Sequence, residues 1–308
     1  MSRLGRMGRW GNQIFQYAFL QTYTLRYGLD YQCSPWIGQV FCGHNDPPIT
    51  DVLPIYHEYR RETKYGDILG ETMPPNGDEV CGCDFVGYAQ FHMTYYRPYR
   101  DFIRTLFKLT PAMLERLEPA LKDLQSRGKT IVALHMRRGD TGRKIYYLTP
   151  NEWYLKWLET HWPRFDDPVL FVASEDPADV AAFARYNPVT SADLLNLSAE
   201  PYNVYNYILP DLKDGTPESM DWLPDWYFLT QCDVMAIGNS TFSFTAAFLN
   251  ERLEECWRSR LSKQEFERID PWDSYALVRE DLRDFPDIPD TALEENPKWN
   301  GGEVLNRG

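Results

Sequence analysis

Arg137 and Arg138 are adjacent in the run His135-Met136-Arg137-Arg138-Gly139-Asp140, directly after the apolar stretch Thr130-Ile131-Val132-Ala133-Leu134. A guanidinium keeps its charge and donates parallel hydrogen bonds in a fork that matches phosphate oxygens. The apolar, β-branched stretch reads as a buried strand. The arginine pair therefore stands at a strand's carboxyl end, the edge where open α/β sheets bind ligands. Gly139 turns the chain there, and Asp140 adds a carboxylate. A surface loop held by salt bridges is the competing reading of the same residues.

A second set of candidate groups opens the chain. Arg3, Arg6 and Arg9 surround the glycine-punctuated loop Gly5-Arg6-Met7-Gly8-Arg9-Trp10-Gly11-Asn12-Gln13. Ile14, Phe15, Ala18, Thr22 and Leu25 follow at helical spacing, and the stripe ends at Gly28. A glycine-rich loop entering a helix offers backbone N–H groups and the positive end of a dipole to an anion. The formal charge is −13 at pH 7, which argues against nucleic acid as the main partner. Basic clusters carry more information in such a chain. Arg3, Arg6 and Arg9 form one island, and Arg137, Arg138, Arg143 and Lys144 another. Two islands suggest one anionic ligand between two segments, with scatter over a solvated face as the alternative.

The elements that must position these groups are legible in outline. Residues 31–80 are irregular and rich in Pro, Asp and Tyr, reading as loops with short helices that shape an acceptor pocket. Asp84 to Gln90 reads as a strand into a turn, with a helix near Tyr96 to Leu106. Thr110-Pro111 opens another helix, ended by Gly128, the candidate domain boundary. Beyond it, βα units alternate. Strand 130–135 precedes a helix begun by a capping box at Thr149-Pro150-Asn151-Glu152. Strand 168–173 precedes a helix start at Ser174-Glu175-Asp176-Pro177, and Leu194-Leu195-Asn196-Leu197 reads as a third strand. A helical stretch near Trp226 to Cys232 leads to strand 234–237. Gly238-Asn239-Ser240-Thr241 then opens a last helix with Phe242, Ala246, Leu249, Leu253 and Trp257 on one face. Such alternation predicts a parallel sheet wrapped by helices. The polar tail from about residue 281 should drape over the surface.

With 308 residues, 43% hydrophobic and 15% aromatic, the chain can build one large or two medium cores. No apolar run approaches the roughly 18 residues that span a bilayer. Basic Met1 to Trp10 is followed by Gly11-Asn12-Gln13 rather than a signal peptide's apolar region. The expectation is a soluble, cytoplasmic protein, with peripheral membrane contact left open. The six cysteines form no Cys-x-x-Cys pair and the five histidines are scattered, so no metal site is expected. Asn196 and Asn239 fit the glycosylation pattern, which has no bearing in a cytosol.

Four segments together resemble the α-1,2-fucosyltransferases of glycosyltransferase family eleven. They are Gly8-Arg9-Trp10-Gly11-Asn12-Gln13-Ile14-Phe15-Gln16-Tyr17-Ala18; Gly87-Tyr88-Ala89-Gln90 with Tyr95-Tyr96; His135 to Asp140; and Cys232-Asp233 through Gly238-Asn239-Ser240-Thr241-Phe242-Ser243-Phe244 to Asn250. They fall in the family's order over most of the chain. The resemblance implies an α/β, GT-B architecture, two Rossmann-like domains facing across a cleft. With Gly128 as the boundary, these are an acceptor-side domain over 1–128 and a nucleotide-sugar domain over 129–308. It also implies GDP-fucose as donor, an oligosaccharide or glycoconjugate acceptor, inversion at the anomeric carbon and no cofactor or essential metal. Three departures are visible: Phe244-Thr245 stands where an aromatic pair is usual, Thr141 where an aromatic is usual, and Ser174-Glu175-Asp176 where Ser-Asp-Asp is frequent. They are expected near the sugar and nucleotide pockets.

On this reading Arg137 meets the charge growing on the leaving diphosphate, and Asn12 donates from the opposite side. Ser240 and Thr241 add donors at a helix N-terminus. Phe242 packs on sugar or base, or is a core aromatic. His135 is a ligand contact or a structural hydrogen-bonder. Arg138 touches the donor or braces the loop through Asp140. Glu175 and Asp176 accept from guanine or ribose, or cap a helix. Asp140 is the candidate general base. Two alternatives stay open: a related transferase using another nucleotide sugar, and a catalytically silent sugar-nucleotide or glycan-binding module on the same fold.

Overall fold

The structure is a computed structural model that describes residues 1–58, 73–138, 147–195, 221–278 and 280. Its centre is a five-stranded sheet made of β3 (Thr130–Met136), β4 (Pro168–Ser174), β5 (Val234–Ile237), β6 (Glu255–Arg260) and β7 (Glu265–Ile269). The spatial order is β4-β3-β5-β6-β7. All neighbours are parallel except the β6–β7 hairpin. The chain passes from β3 to β4 on one side and then crosses to β5 on the other, so the order reverses beside β3. That reversal opens a crevice between the carboxyl ends of β3 and β5, the ordinary ligand position of doubly wound sheets.

Alternation along the strands explains why both faces are covered. Val132, Leu134 and Met136 join Tyr154, Trp157 and Leu158 of α5 (Asn151–His161) in one apolar layer. Ile131 and Ala133 point the other way, toward α8 (Leu223–Leu229) and α9 (Thr241–Leu249). In α9 every residue from Ser243 to Leu249 is buried. A helix enclosed on all sides needs apolar residues all round, and α9 has them because the long α1 (Trp10–Tyr27) lies on its outer side. Gly11 permits that approach: a Cβ there would stand 2.6 Å from the Thr241 carbonyl carbon.

Preceding the main sheet are a short α2 (Gly38–Phe41), β1 (Ile55–His57) paired parallel with β2 (Asp84–Val86), α3 (Arg100–Leu106) and α4 (Pro111–Ser126). The expected boundary at Gly128 falls between α4 and β3, and one apolar core extends across it. Trp10 rings with Trp36, Phe41 and Phe107 before that point and with Trp222 and Trp226 after it, at 5.2–6.4 Å.

Several expectations need correction. Thr149 does not cap α5, whose N-cap is Pro150 without a side-chain bond; its hydroxyl bonds the Ser259 hydroxyl at 2.8 Å instead. The chain does build a capping box, at Thr190 and Asp193 of α7 (Ser191–Leu194). Leu194 therefore ends a helix rather than starting a strand, and Asn196 and Leu197 lie outside the described residues. The last helix stops at Leu249, because the side-chain amide of Asn250 turns back to donate to the carbonyls of Leu229 and Cys232. Leu253 is thus beyond the helix and Trp257 belongs to β6. The tail from 281 also lies outside the described residues.

Among the described residues, no helix is long and apolar enough to cross a membrane, and no group of three His, Cys, Asp or Glu side chains is set to hold a metal ion.

Candidate functional site

The first helical turn of α1 is tied to the loop before it. Gln13 donates to the Gly8 carbonyl at 3.1 Å, and Gln16 to the Met7 carbonyl at 2.9 Å. Gly8 has φ +78°, and a Cβ there would stand 2.2 Å from Asn12 Nδ2. Both facts call for glycine. The Asn12 side chain so accommodated accepts twice on Oδ1, from Gln90 Nε2 at 2.7 Å and from Thr241 Oγ1 at 3.0 Å. One oxygen thus joins the opening loop, the Gly87–Gln90 segment and the start of α9. Accepting on Oδ1 leaves the Asn12 Nδ2 as a donor over Gly8.

α9 begins where β5 ends. Ser240 is its N-cap and accepts from the Phe242 amide at 3.3 Å. Phe242 is partly exposed and lies with its ring 5.2 Å from His135 and 6.1 Å from Trp222. His135 is buried at the end of β3, and burial, reinforced by Arg137 and Arg138, lowers its pKa to about 3. Its ring is neutral at any ordinary pH, and its backbone carbonyl accepts from the Tyr154 hydroxyl at 2.8 Å. Both positions retain the two roles read from the sequence.

The two arginines diverge because successive residues leave a strand on opposite faces. Arg138 turns toward α5 and α6 (Pro177–Ala181). It grips Asp179 with two nitrogens at 2.6 and 3.2 Å, donates to the Thr149 carbonyl at 3.0 Å and to Asn151 Oδ1 at 2.6 Å. This is a brace that fastens the strand end to two helices. Arg137 turns the other way and pairs through Nη1 with Glu175 at the end of β4. Asp176 N-caps α6, its Oδ1 accepting from the Ala178 amide at 2.8 Å. Asp140, Arg143 and Lys144 lie outside the described residues.

One carboxyl at this edge was not anticipated. Asp225, in the first turn of α8, accepts from the Ser191 hydroxyl. Burial, with a further push from Glu175, raises its pKa to about 7. In sequence Pro224-Asp225 resembles an ordinary helix start, so only the tertiary contact marks it.

Some motif residues have architectural roles. Asp233 receives the Ile131 amide at 2.8 Å and Arg252 at 2.8 Å, clamping β3 to β5 at the amino ends of the strands, away from the crevice. Thr245 is fully buried and accepts from Trp226 Nε1 at 3.3 Å. That departure from the resembled pattern therefore lies in the α8–α9 packing, and not at a ligand pocket as expected.

No protein-family model and no curated protein matches the sequence. Solved structures do match in fold. A NodZ α-1,6-fucosyltransferase soaked with GDP-fucose aligns over 85% of this chain and 95% of its own, with TM-score 0.50 and 13% identity. FUT1 of Arabidopsis thaliana, as a point variant in complex with GDP, aligns over 85% and 72%, with TM-score 0.52 and 11% identity. The chain shares the α/β fold of these proteins.

Proposed function

We propose that this chain is an inverting fucosyltransferase of the GT-B arrangement, moving fucose from GDP-fucose to a glycan hydroxyl in α-1,2 linkage without a metal. The observation that carries the proposal is the convergence at Asn12 Oδ1. It draws the opening loop and the start of α9 together beside the crevice where β3 delivers Arg137. The neighbours soaked with GDP-fucose or in complex with GDP support the same donor class.

In this reading the diphosphate lies against the N-terminus of α9 and takes hydrogen bonds from Arg137, Ser240 and Thr241. As the anomeric C–O bond breaks, negative charge collects on the diphosphate. Arg137 and the Asn12 amide are fixed donors for that charge, and fixed donors stabilise a transition state most. The acceptor hydroxyl attacks from the opposite face, which inverts the anomeric carbon, and Asp140 takes its proton. Glu175 and Asp225 supply acceptors for the N–H groups of the nucleobase, while His135 and Phe242 wall the pocket. Asp176 and Arg138 act through the frame.

The test is donor-dependent thermal stabilisation followed by transfer. GDP and GDP-fucose should raise Tm by mass action more than UDP or UDP-sugars, and acceptor should accelerate GDP release. Stabilisation by UDP-sugars alone would replace the donor. GDP binding without any transfer would make the chain a binding module.

A further inference from the structure

Glu58 reaches the Asn12 site without touching it. Its backbone N–H donates to the Val86 carbonyl at 3.0 Å, which continues the β1–β2 pairing by one residue. Its Oε2 accepts from two successive amides, Tyr88 at 2.6 Å and Ala89 at 3.0 Å. Space for this carboxylate exists because residue 87 is glycine: a Cβ there would stand 2.2 Å from Oε2. Ala89 has φ +53°, a left-handed conformation that disfavours any side chain. Two charge-assisted hydrogen bonds offset that strain, and the Tyr96 hydroxyl holds the Ala89 carbonyl at 2.5 Å from below. The next residue is Gln90, whose amide donates to Asn12 Oδ1.

We infer that Glu58 is the positioning residue for Asn12, acting through the Tyr88–Ala89 turn and the Gln90 amide. The inference rests on the proposed role of Asn12 as a donor to the leaving group. The turn can present Gln90 only while both amides are held. Release of the turn frees Gln90, and Asn12 Oδ1 then keeps only the Thr241 hydroxyl, about which its amide can swing. Small misplacements of this kind reduce turnover far more than binding.

The test combines turnover with a readout that needs no activity. Selectively 15N-asparagine-labelled protein gives a side-chain amide signal for Asn12, assigned by its loss in Asn12→Ala. In Gln90→Ala and Glu58→Ala this signal should shift and lose exchange protection, while Glu58→Gln, which keeps an acceptor oxygen in place, should restore it. Glu58→Ala should lower kcat roughly 10- to 100-fold with GDP affinity unchanged, and should add nothing in a Gln90→Ala background. An unmoved Asn12 signal in Gln90→Ala would overturn the inference, even if Glu58→Ala failed to fold. So would additive losses in the double variant. If the signals move as expected in a protein that transfers no fucose, the relay stands and the proposed function falls.

Discussion

Arg137 and Arg138 are neighbours in sequence with side chains on opposite faces, and on the proposed function their variants should fail differently. Arg137→Ala should remain folded and lose about 3 to 4 kcal/mol of transition-state stabilisation, roughly 100- to 1000-fold in kcat at saturating donor. Arg137→Lys should recover only part, since an ammonium lacks the two-pronged geometry. Near-wild-type turnover in folded Arg137→Ala would move the active site elsewhere. Arg138→Ala leaves Asp179 largely buried without its partner and should lower unfolding stability by about 3 kcal/mol, read by denaturant titration. The sequence made the pair conspicuous but not the division of labour, because Asp179 is 41 residues away. Asp225 was hidden for the same reason. Its folded pKa of about 7 exceeds the roughly 3.9 of an unfolded Asp. The folded state therefore holds an extra proton between those values. That contribution to stability is complete below about pH 4 and fades as pH rises to about 7. Asp225→Asn should flatten this part of the Tm-versus-pH curve, and an unchanged curve would show that the carboxyl does not titrate there.

At the level of elements, the apolar runs at 130–135, 168–173 and 234–237 were legible because strands buried on both faces are continuously hydrophobic. The end of α9 was not. Leu253 and Trp257 continue its spacing numerically, and only the fold reveals that Asn250 stops the helix by bonding across to α8. The β6–β7 hairpin was missed because its turn lacks the usual glycine pair. The contact between α1 and α9 was equally invisible, although Gly11 lay within a segment already singled out. Gly11→Ala should force the two helices apart. A destabilisation of about 1 to 3 kcal/mol is expected, with a larger loss in kcat than in GDP affinity because Asn12 moves away from Thr241. Wild-type stability and turnover would mean that the helices have slack.

Among the described residues, the larger of two apolar clusters joins the first and last thirds of the chain. Trp10, 2% exposed, should on replacement by Ala lose about 3 to 5 kcal/mol of stability, and heating should unfold the chain in a single transition. Two separated transitions, one unaffected by Trp10→Ala, would show independent halves. The family resemblance implied two domains, with Gly128 as the candidate boundary; the aromatic contacts across that point are not a local property and could not be read from the sequence. On the proposed function, chemistry should also persist in excess chelator, with Arg137 and the α9 terminus in place of a cation. Loss of turnover in chelator with restoration by magnesium would remove that part of the mechanism.

The hydrogen bond between Asn12 and Thr241 spans 229 positions of the chain. On the ribosome, the aromatic face of α1 emerges long before the helix that will cover it. At about 5 to 20 residues per second of synthesis, Phe15 of that face waits at least ten seconds for Phe244 and Phe248, its ring partners on α9. Such late closure should make refolding from denaturant slow and sensitive to protein concentration.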